Sequence, residues 1–597
     1  MLAGSWGARA GELLERTAER WGAQIHRVGE LGMLTAPHVV AGNWRCWLFG
    51  EPEDRGALTA RFGLRAPADL PTAFGRALAE LGEGACHLLQ GRFVVAALDI
   101  ERDRCVIARD QLGAQPLVYG LVADGLLFAE HERDLLEVLP CSPSPDRLTL
   151  LQWVDRGVTP AERTFYEGVQ RLPAGQRLTL GQMRTSVEPW WSLSYQGVEK
   201  GSKVELGERI RDAAFAAVAR AAASSERPAV KLSGGLDSSC VAAGLAAGGF
   251  TNGRASAIGG TFPAYPVSDE RELIEETARC AHLPVELVAF DSRNSMLAAG
   301  LEHIVRWRLP PATPNLFLWQ PVLARARELG TDLVLDGEGG DELFGLAPYL
   351  IADRLRAGRL LAAWSLTGRI PGIGQHHDGR VRLRVLRHYG LVPLVPSAVQ
   401  HRRERARIAS SRSLVPRADA ETLFDLSIAS RENRRDGPMW WRFQAEGLID
   451  DRDLIDMGAH FRREAADAAL NMRHPLLHDL QLIETALRLP PQAQFDPARD
   501  RPLLREGLTG LIPETVRTRH EKSHFTPLVL AGIRADEASL VEPLRRANAP
   551  IRAYVAGGPL DRKIGVAPDD RSMLGAASLW RVAIANRWLA SQAHESL

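Results

Sequence analysis

Two stretches of the chain bring together residue types that handle phosphate. "VKLSGGLDSSCVAAGL", residues 230–245, runs from an apolar, β-rich stretch through Ser233, Gly234 and Gly235 to Asp237, Ser238 and Ser239 at the start of a helical pattern. Glycine lets main-chain amides approach an anion with no Cβ in the way, and serine adds hydroxyl donors. The first turn of a helix offers unpaired N–H groups at the positive end of its dipole. No lysine follows the glycines, which excludes the GxxxxGK[ST] phosphate loop. Asp237 repels phosphates unless a cation intervenes, so its presence points to magnesium. "TDLVLDGEGGDELFG", residues 331–345, repeats the logic with Gly337, Glu338 and Asp341 after an apolar strand. Carboxylates from two strand ends, Asp237 and Asp341, are what a magnesium pair on triphosphate oxygens requires. The competing readings are an ordinary capped strand-to-helix turn and a calcium loop; the second motif lacks the alternating acids of an EF-hand.

These residues need a parallel sheet to bring them together. "RPAVKL" reads as a strand, "SSCVAAGLAAG" as a helix, and "RASAIGGTF", "RELIEETARCAH" and "DLVLDG" continue the alternation. Before them, "VELGERIRDAAFAAVARAAA" places Leu206, Ile210, Ala214 and Val218 at helical spacing. Helices alternating with short β-rich runs imply a parallel sheet covered on both faces, with ligands at the carboxyl ends of its strands. Earlier, "GRFVVAALDIERDRCVIARDQLG" and "PLVYGLVADGLLFAE" read as antiparallel strands, with turns near Asp103 and Gly125. "SYQGVEKGSK", residues 194–203, is a polar linker, which divides the chain into a first domain over 1–200 and a second over 204–597.

At 597 residues the chain exceeds one hydrophobic core. Its 73 basic and 73 acidic side chains leave no net field for nucleic acid or membrane. The six cysteines show no CxxC spacing, and neither a basic-then-apolar leader nor a membrane-spanning apolar run is present, so a reducing, cytoplasmic setting without membrane insertion is expected. Residues 351–415 are rich in arginine, notably "HRRERAR" at 401–407: a solvated helical face or a docking surface for an acidic partner.

"LSGGLDSS" resembles the pyrophosphatase loop of the asparagine synthetase B superfamily, and "LDGEGGDELFG" is similar to its second signature. "NMRHPLLHDLQLIETALRLP" (471–490) and "RPLLREGLTGLIPETVRTRHEKSHFTP" (501–527) resemble its C-terminal synthetase helices, while "RDQLGAQPLVY" and "TFYEGVQRLPAG" resemble its glutaminase-type domain. The resemblance implies an α/β and α+β two-domain chain. Its N-terminal part would be a degenerate glutaminase-type (Ntn-like) β-sandwich with helices. Its C-terminal part would be a parallel-sheet ATP-pyrophosphatase synthetase domain with extra helices. Members bind ATP with Mg2+, adenylate a carboxylate, release pyrophosphate, and let an amine displace AMP. Carried over, Ser233, Gly234, Gly235, Asp237 and Ser238 surround the phosphates, Asp237 and Asp341 hold magnesium, and Lys231, Ile258 and Gly337 contact nucleotide through backbone. Lys522, three residues before Phe525, would stabilise charge on the pentavalent phosphorus, and Glu338 would deprotonate the attacking amine.

The chain departs from the pattern in two places. It begins "MLAGSW", so Leu2 stands where a glutaminase of this kind carries its cysteine, and Cys46 sits within a strand-like run. A scaffold without glutamine hydrolysis is expected. In "NMRHPLLHD", Asn471 replaces an acid and Asp479 is shifted behind His478, which leaves His474 or His478 as substitutes for an acid-assisted base.

Members without an ammonia source use an amine on the substrate itself, as in β-lactam synthetases and lasso peptide cyclases. The length, Glu338 where the β-lactam enzymes carry tyrosine, and the arginine-rich insertion favour resemblance to the lasso cyclases. That resemblance implies macrolactam formation between a peptide N-terminal amine and an Asp or Glu side chain. It also implies three partners: a lasso precursor peptide, a leader-recognition protein and a leader peptidase. β-Lactam-type ligation, ammonia-dependent asparagine synthesis and a non-enzymatic scaffold remain the alternatives.

Overall fold

The alternation along Leu89–Asp99 builds the first unit: Val94, Ala96 and Leu98 enter one core, and Phe93, Val95 and Ala97 enter another. A strand buried on both faces reads as an unbroken apolar run, which is why "RFVVAALD" carries so little polar punctuation. A computed structural model describes the chain except residues 1–2, 22–23, 29–30, 35–37, 63–68, 123–124, 182–183, 252, 291–294, 372–377, 409–412, 430–435, 451, 521–524 and 596–597. It divides into two units, 1–192 with 303–310 and 585–597, and 193–302 with 311–584.

In the first unit, two six-stranded antiparallel sheets face each other. One is ordered Val169–Arg171, Val118–Val122, Gly125–Ala129, Ala3–Trp6, Leu31–Leu34, Ile25–Val28. The other is ordered Arg184–Pro189, Gln176–Gly181, Arg104–Arg109, Leu89–Asp99, Trp44–Asp54, Val39–Ala41. Trp6, Met33 and Phe128 of the first meet Trp47, Val94 and Ile107 of the second in one core. Helices Ala57–Phe62 and Leu70–Leu81 cover the second sheet's other face with Leu58, Phe62, Phe74 and Leu78. Helix Ala8–Trp21 packs on strands Ala3–Trp6 and Gly125–Ala129. The sandwich with helices on both sides is the expected one. Within "RDQLGAQP", Asp110 is buried and accepts the amides of Leu112, Ala114 and Gln115.

In the second unit, five parallel strands run Val285–Ala289, Ser256–Thr261, Pro228–Leu232, Leu333–Leu335, Asn471–Arg473. Pro228–Leu232 is central, so the chain reverses direction of travel across the sheet beside it, and crevices at such points receive ligands. Helices Leu236–Ala247 and Arg271–Cys280 connect successive strands, and Leu316–Glu328 packs on Ser256–Thr261. Helix Lys203–Ala222 begins with a capping box, Ser202 accepting from the Glu205 amide while Glu205 accepts from the Ser202 amide. The arginine-rich stretch forms helices Leu350–Arg356, Leu360–Thr367, Gly379–Val385 and Ser397–Ile408. Among the described residues, no helix is long and apolar enough to cross a membrane.

Candidate active site

The two glycine-rich turns meet at the carboxyl edge of the second unit's sheet. Gly234 has φ +72°, a left-handed value that a Cβ disfavours, and Gly235 then starts helix Leu236–Ala247. Ser238 Oγ lies 3.2 Å from Ser233 Oγ and donates to Gly235 O, while Ser239 Oγ donates to Gly235 O at 2.8 Å. From the neighbouring strand, Gly337 and Gly340 come so close that a Cβ on each would lie 2.6 Å from Ser238 N and 2.4 Å from Asp237 Cγ. The glycines of the second turn are thus needed to seat it against the first. Ile258 is buried opposite Lys231 on one side and Glu286 on the other, within the sheet.

Asp237 and Asp341 converge on one guanidinium. Arg501 Nη1 bonds Asp237 Oδ2 and lies 2.7 Å from Asp341 Oδ1, while its Nη2 lies 2.6 Å from Asp500. Arg501 is buried and holds φ +51°, a left-handed value uncommon for a residue with a Cβ. Burial acts to lower its proton affinity, yet Asp237, Asp341 and Asp500 prevail and raise it above the ordinary arginine value. Burial acts to raise Asp500, but Arg501 and Arg505 hold its carboxyl below the usual range. Two carboxylates reaching a single nitrogen form an oxygen donor set of the kind a hard divalent cation takes, so the residues present fit magnesium.

A second cluster sits beside the first. Asp336 Oδ1 accepts from the Glu338 amide at 3.2 Å and faces His474 Nδ1 at 2.8 Å, and His474 Nε2 lies 3.3 Å from Gly458 O. Lys231 places its Nζ over the Trp319 ring, 2.8 Å from the centroid. Burial pushes Lys231 down to about 7, opposed by Asp336 and Glu338.

Other sequence candidates land elsewhere. Asp479 accepts two bonds of 2.8 Å from Arg220 and caps helix Leu480–Ala486 through the Leu482 amide. It therefore anchors that helix. His478 meets Arg462 Nη1 at 3.4 Å, and Asn471 is exposed at the start of the edge strand. Lys522 lies outside the described residues. Sequence reasoning missed Arg501, Asp336 and Trp319. Arg501 stands 264 residues from Asp237 in a chain full of arginines, so nothing local marks it.

Comparison with known proteins gives two family matches and several relatives. The asparagine synthase family description matches residues 209–590, and the glutamine amidotransferase domain description matches 73–191. Amidase chyE of Penicillium rubens is 28% identical over 45% of this chain and 41% of its own length. Asparagine synthetase [glutamine-hydrolyzing] 3 of Bacillus subtilis is 23% identical over 74% of this chain and 69% of its own. Asparagine synthetase B [glutamine-hydrolyzing] of Escherichia coli is 25% identical over 56% and 60%. The chain spans about two-fifths of the length of the two amidases it matches, chyE and its Gibberella zeae counterpart. With the family description covering well over half of the residues, and both glycine-rich turns of the sheet inside the match, the chain belongs to the asparagine synthase family.

Proposed function

We propose that the chain is an ATP-dependent, AMP-forming amide ligase that closes a macrolactam in a lasso peptide. An Asp or Glu side-chain carboxylate of the core peptide attacks the α-phosphorus and pyrophosphate leaves. The peptide's N-terminal amine then attacks the acyl carbon, AMP leaves, and one proton is released from nitrogen. The observation that carries this reading is the meeting of Asp237 and Asp341 on the Arg501 guanidinium, beside the Ser233–Ser238 turn.

In this reading, Ser233, Gly234, Gly235 and Ser238 present donors to the phosphates, and backbone at Lys231, Ile258 and Gly337 borders the nucleotide. Asp237 and Asp341 hold magnesium, which when bound supplies positive charge to the phosphate oxygens. Lys522 steadies charge at the α-phosphorus, and Glu338 takes the proton from the amine. Holding amine and activated carboxyl in one folded peptide supplies much of the remaining acceleration, by effective concentration.

Buried cysteines in the first unit favour an amine drawn from the substrate, Cys141 being the exposed exception. Cys46 and Cys86 are buried thiols pushed up to about 12, and burial raises Cys105 further, so none of the three offers a thiolate. The names of the Bacillus and Escherichia relatives favour a second reading, asparagine synthesis. A β-lactam-type ring closure is the third. A lasso precursor peptide, a leader-recognition protein and a leader peptidase are the partners this proposal requires, with the arginine-rich helices as the surface offered to them.

The test is turnover with ATP and Mg2+ on three substrate sets: a leader-processed precursor peptide, aspartate with ammonium, and a small β-amino acid. The proposal expects the peptide to lose one water with matching AMP. AMP formed only with aspartate and ammonium, or only with the β-amino acid, transfers the assignment to the corresponding alternative.

A further inference from the structure

The edge strand meets the second glycine-rich turn at one point. Leu333, Val334 and Leu335 pair with Asn471, Met472 and Arg473 in parallel register, and one further step along both strands sets Asp336 beside His474. Both are buried, at 4% and 1% exposure. A buried carboxylate is costly unless hydrogen-bonded, and Asp336 Oδ1 takes two donors: His474 Nδ1 at 2.8 Å and the Glu338 amide at 3.2 Å. Across the ring, His474 Nε2 lies 3.3 Å from Gly458 O. Each ring nitrogen therefore faces a protein oxygen inside the core, and neither is open to a substrate amine.

The main chain of His474 bears on the same turn. Its carbonyl accepts the amides of Leu477 and His478 in the short helix Pro475–His478. That helix lies so near the turn that a Cβ on Gly339, at φ +85°, would come within 2.9 Å of Leu477 Cβ. Between Gly337 and Asp341 the turn has three glycines, whose backbone freedom leaves it dependent on outside contacts for its shape. It has two such anchors. His474 acts through Asp336 at the Glu338 end, and Arg501, 2.7 Å from Asp341 Oδ1, acts at the other.

We propose that His474 is a positioning residue for the amide-forming step: its ring orients Asp336, whose carboxylate holds the Glu338 amide and so sets where Glu338 meets the amine. This rests on the reading of Glu338 as proton acceptor. His474 itself takes no proton from the substrate. A histidine N–H given to a carboxylate fixes the orientation of both groups, which is the service required here. Adenylation draws on Asp341, which Arg501 holds separately, and so depends on His474 less.

The test reads closed peptide per AMP released, in the full chain with ATP, Mg2+ and the precursor peptide. An asparagine amide nitrogen takes nearly the place of histidine Nδ1 and a glutamine amide nitrogen that of Nε2, so the two substitutions keep different halves of the bridge. His474→Gln gives up the Asp336 bond, and closure is expected to fall about tenfold or more beyond any fall in AMP formation, part of what a positioned base contributes. His474→Asn keeps that bond and is expected to recover the ratio. Equal ratios in the two variants, or closure and AMP falling together, overturn the proposal. If His474→Gln does not fold, Asp336→Ala, which leaves the ring in place, is read instead: the same fall is expected, and an unchanged ratio overturns the proposal. Glu338→Gln is run beside them, and an unchanged ratio there overturns Glu338 as acceptor and the proposal with it. If the unaltered chain closes no peptide, the functional reading falls, and the anchor is decided on its own with histidine labelled by 15N. A slowly exchanging Nδ1 proton, lost in His474→Asn and shifted in Asp336→Asn, is the expected signature; its absence overturns the anchor.

Discussion

Arg501 Nη1 lies 2.7 Å from Asp341 Oδ1, and the same nitrogen bonds the buried Asp237. One side chain thus ties together two turns that arrive from different strands of the sheet. Removing a partner from a buried ion pair leaves the other charge uncompensated, at a loss of about 3 kcal/mol. Arg501→Met is accordingly expected to lower the thermal midpoint, and added Mg2+ should raise it more in the variant than in the unaltered chain. An identical magnesium response in both proteins would separate Arg501 from the cation site.

Gly340 tests how closely the turns must fit. A Cβ there would lie 2.4 Å from Asp237 Cγ, a distance that forces one turn to move. Gly340→Ala is expected to reduce AMP formation about a hundredfold, since displacements on the order of 1 Å at a reacting centre have that effect. Near-normal turnover would show that the turns reseat themselves.

Asp479 tests the opposite assignment, an acid with a structural task. Its bonds to Arg220 and to the Leu482 amide fasten helix Leu480–Ala486. Asp479→Ala is expected to reduce stability by about 2 kcal/mol, the sum of a lost helix cap and a lost charge-assisted pair. The ratio of product to AMP should hold. A fall in that ratio with little loss of stability would place Asp479 in the chemistry instead.

Lys231 gives the fold a pH dependence of definite sign. Its folded-state proton affinity is lowered, to about 7 from 10.5, so the unfolded chain binds the proton more readily between those values. The Lys231 contribution to stability therefore rises with pH across that window, by up to about 1.4 kcal/mol per pH unit, and is flat below it. Relative to Lys231→Met, the unaltered chain should gain in thermal midpoint from pH 7 to 10. A pH-independent difference between the two would contradict the placement of this amine.

Local pattern made the strand, turn and helix from Pro228 to Ala247 legible, because a buried strand, paired glycines and a helix start each leave a signature in adjacent residues. The same holds for Gly337 to Asp341. Arg501 was not legible: its partner Asp237 stands 264 residues away, and nothing adjacent signals its left-handed backbone. Asp479, already out of step with the family pattern behind His478, is held by Arg220 and the Leu482 amide, and only Leu482 is near it in sequence. Lys231 was legible as a backbone neighbour of the nucleotide turn. Its side chain drew meaning only from Trp319, Asp336 and Glu338, which two separate segments bring around it.

The central claim, activation of a peptide carboxylate as an acyl adenylate, is tested most directly by isotope transfer. The precursor peptide is prepared with 18O in its Asp and Glu side-chain carboxylates and turned over with ATP and Mg2+. The expected result is one 18O atom in each AMP released, with the closed peptide lighter by one labelled water. Label in orthophosphate with ADP as the nucleotide product, or AMP without label, would contradict the account.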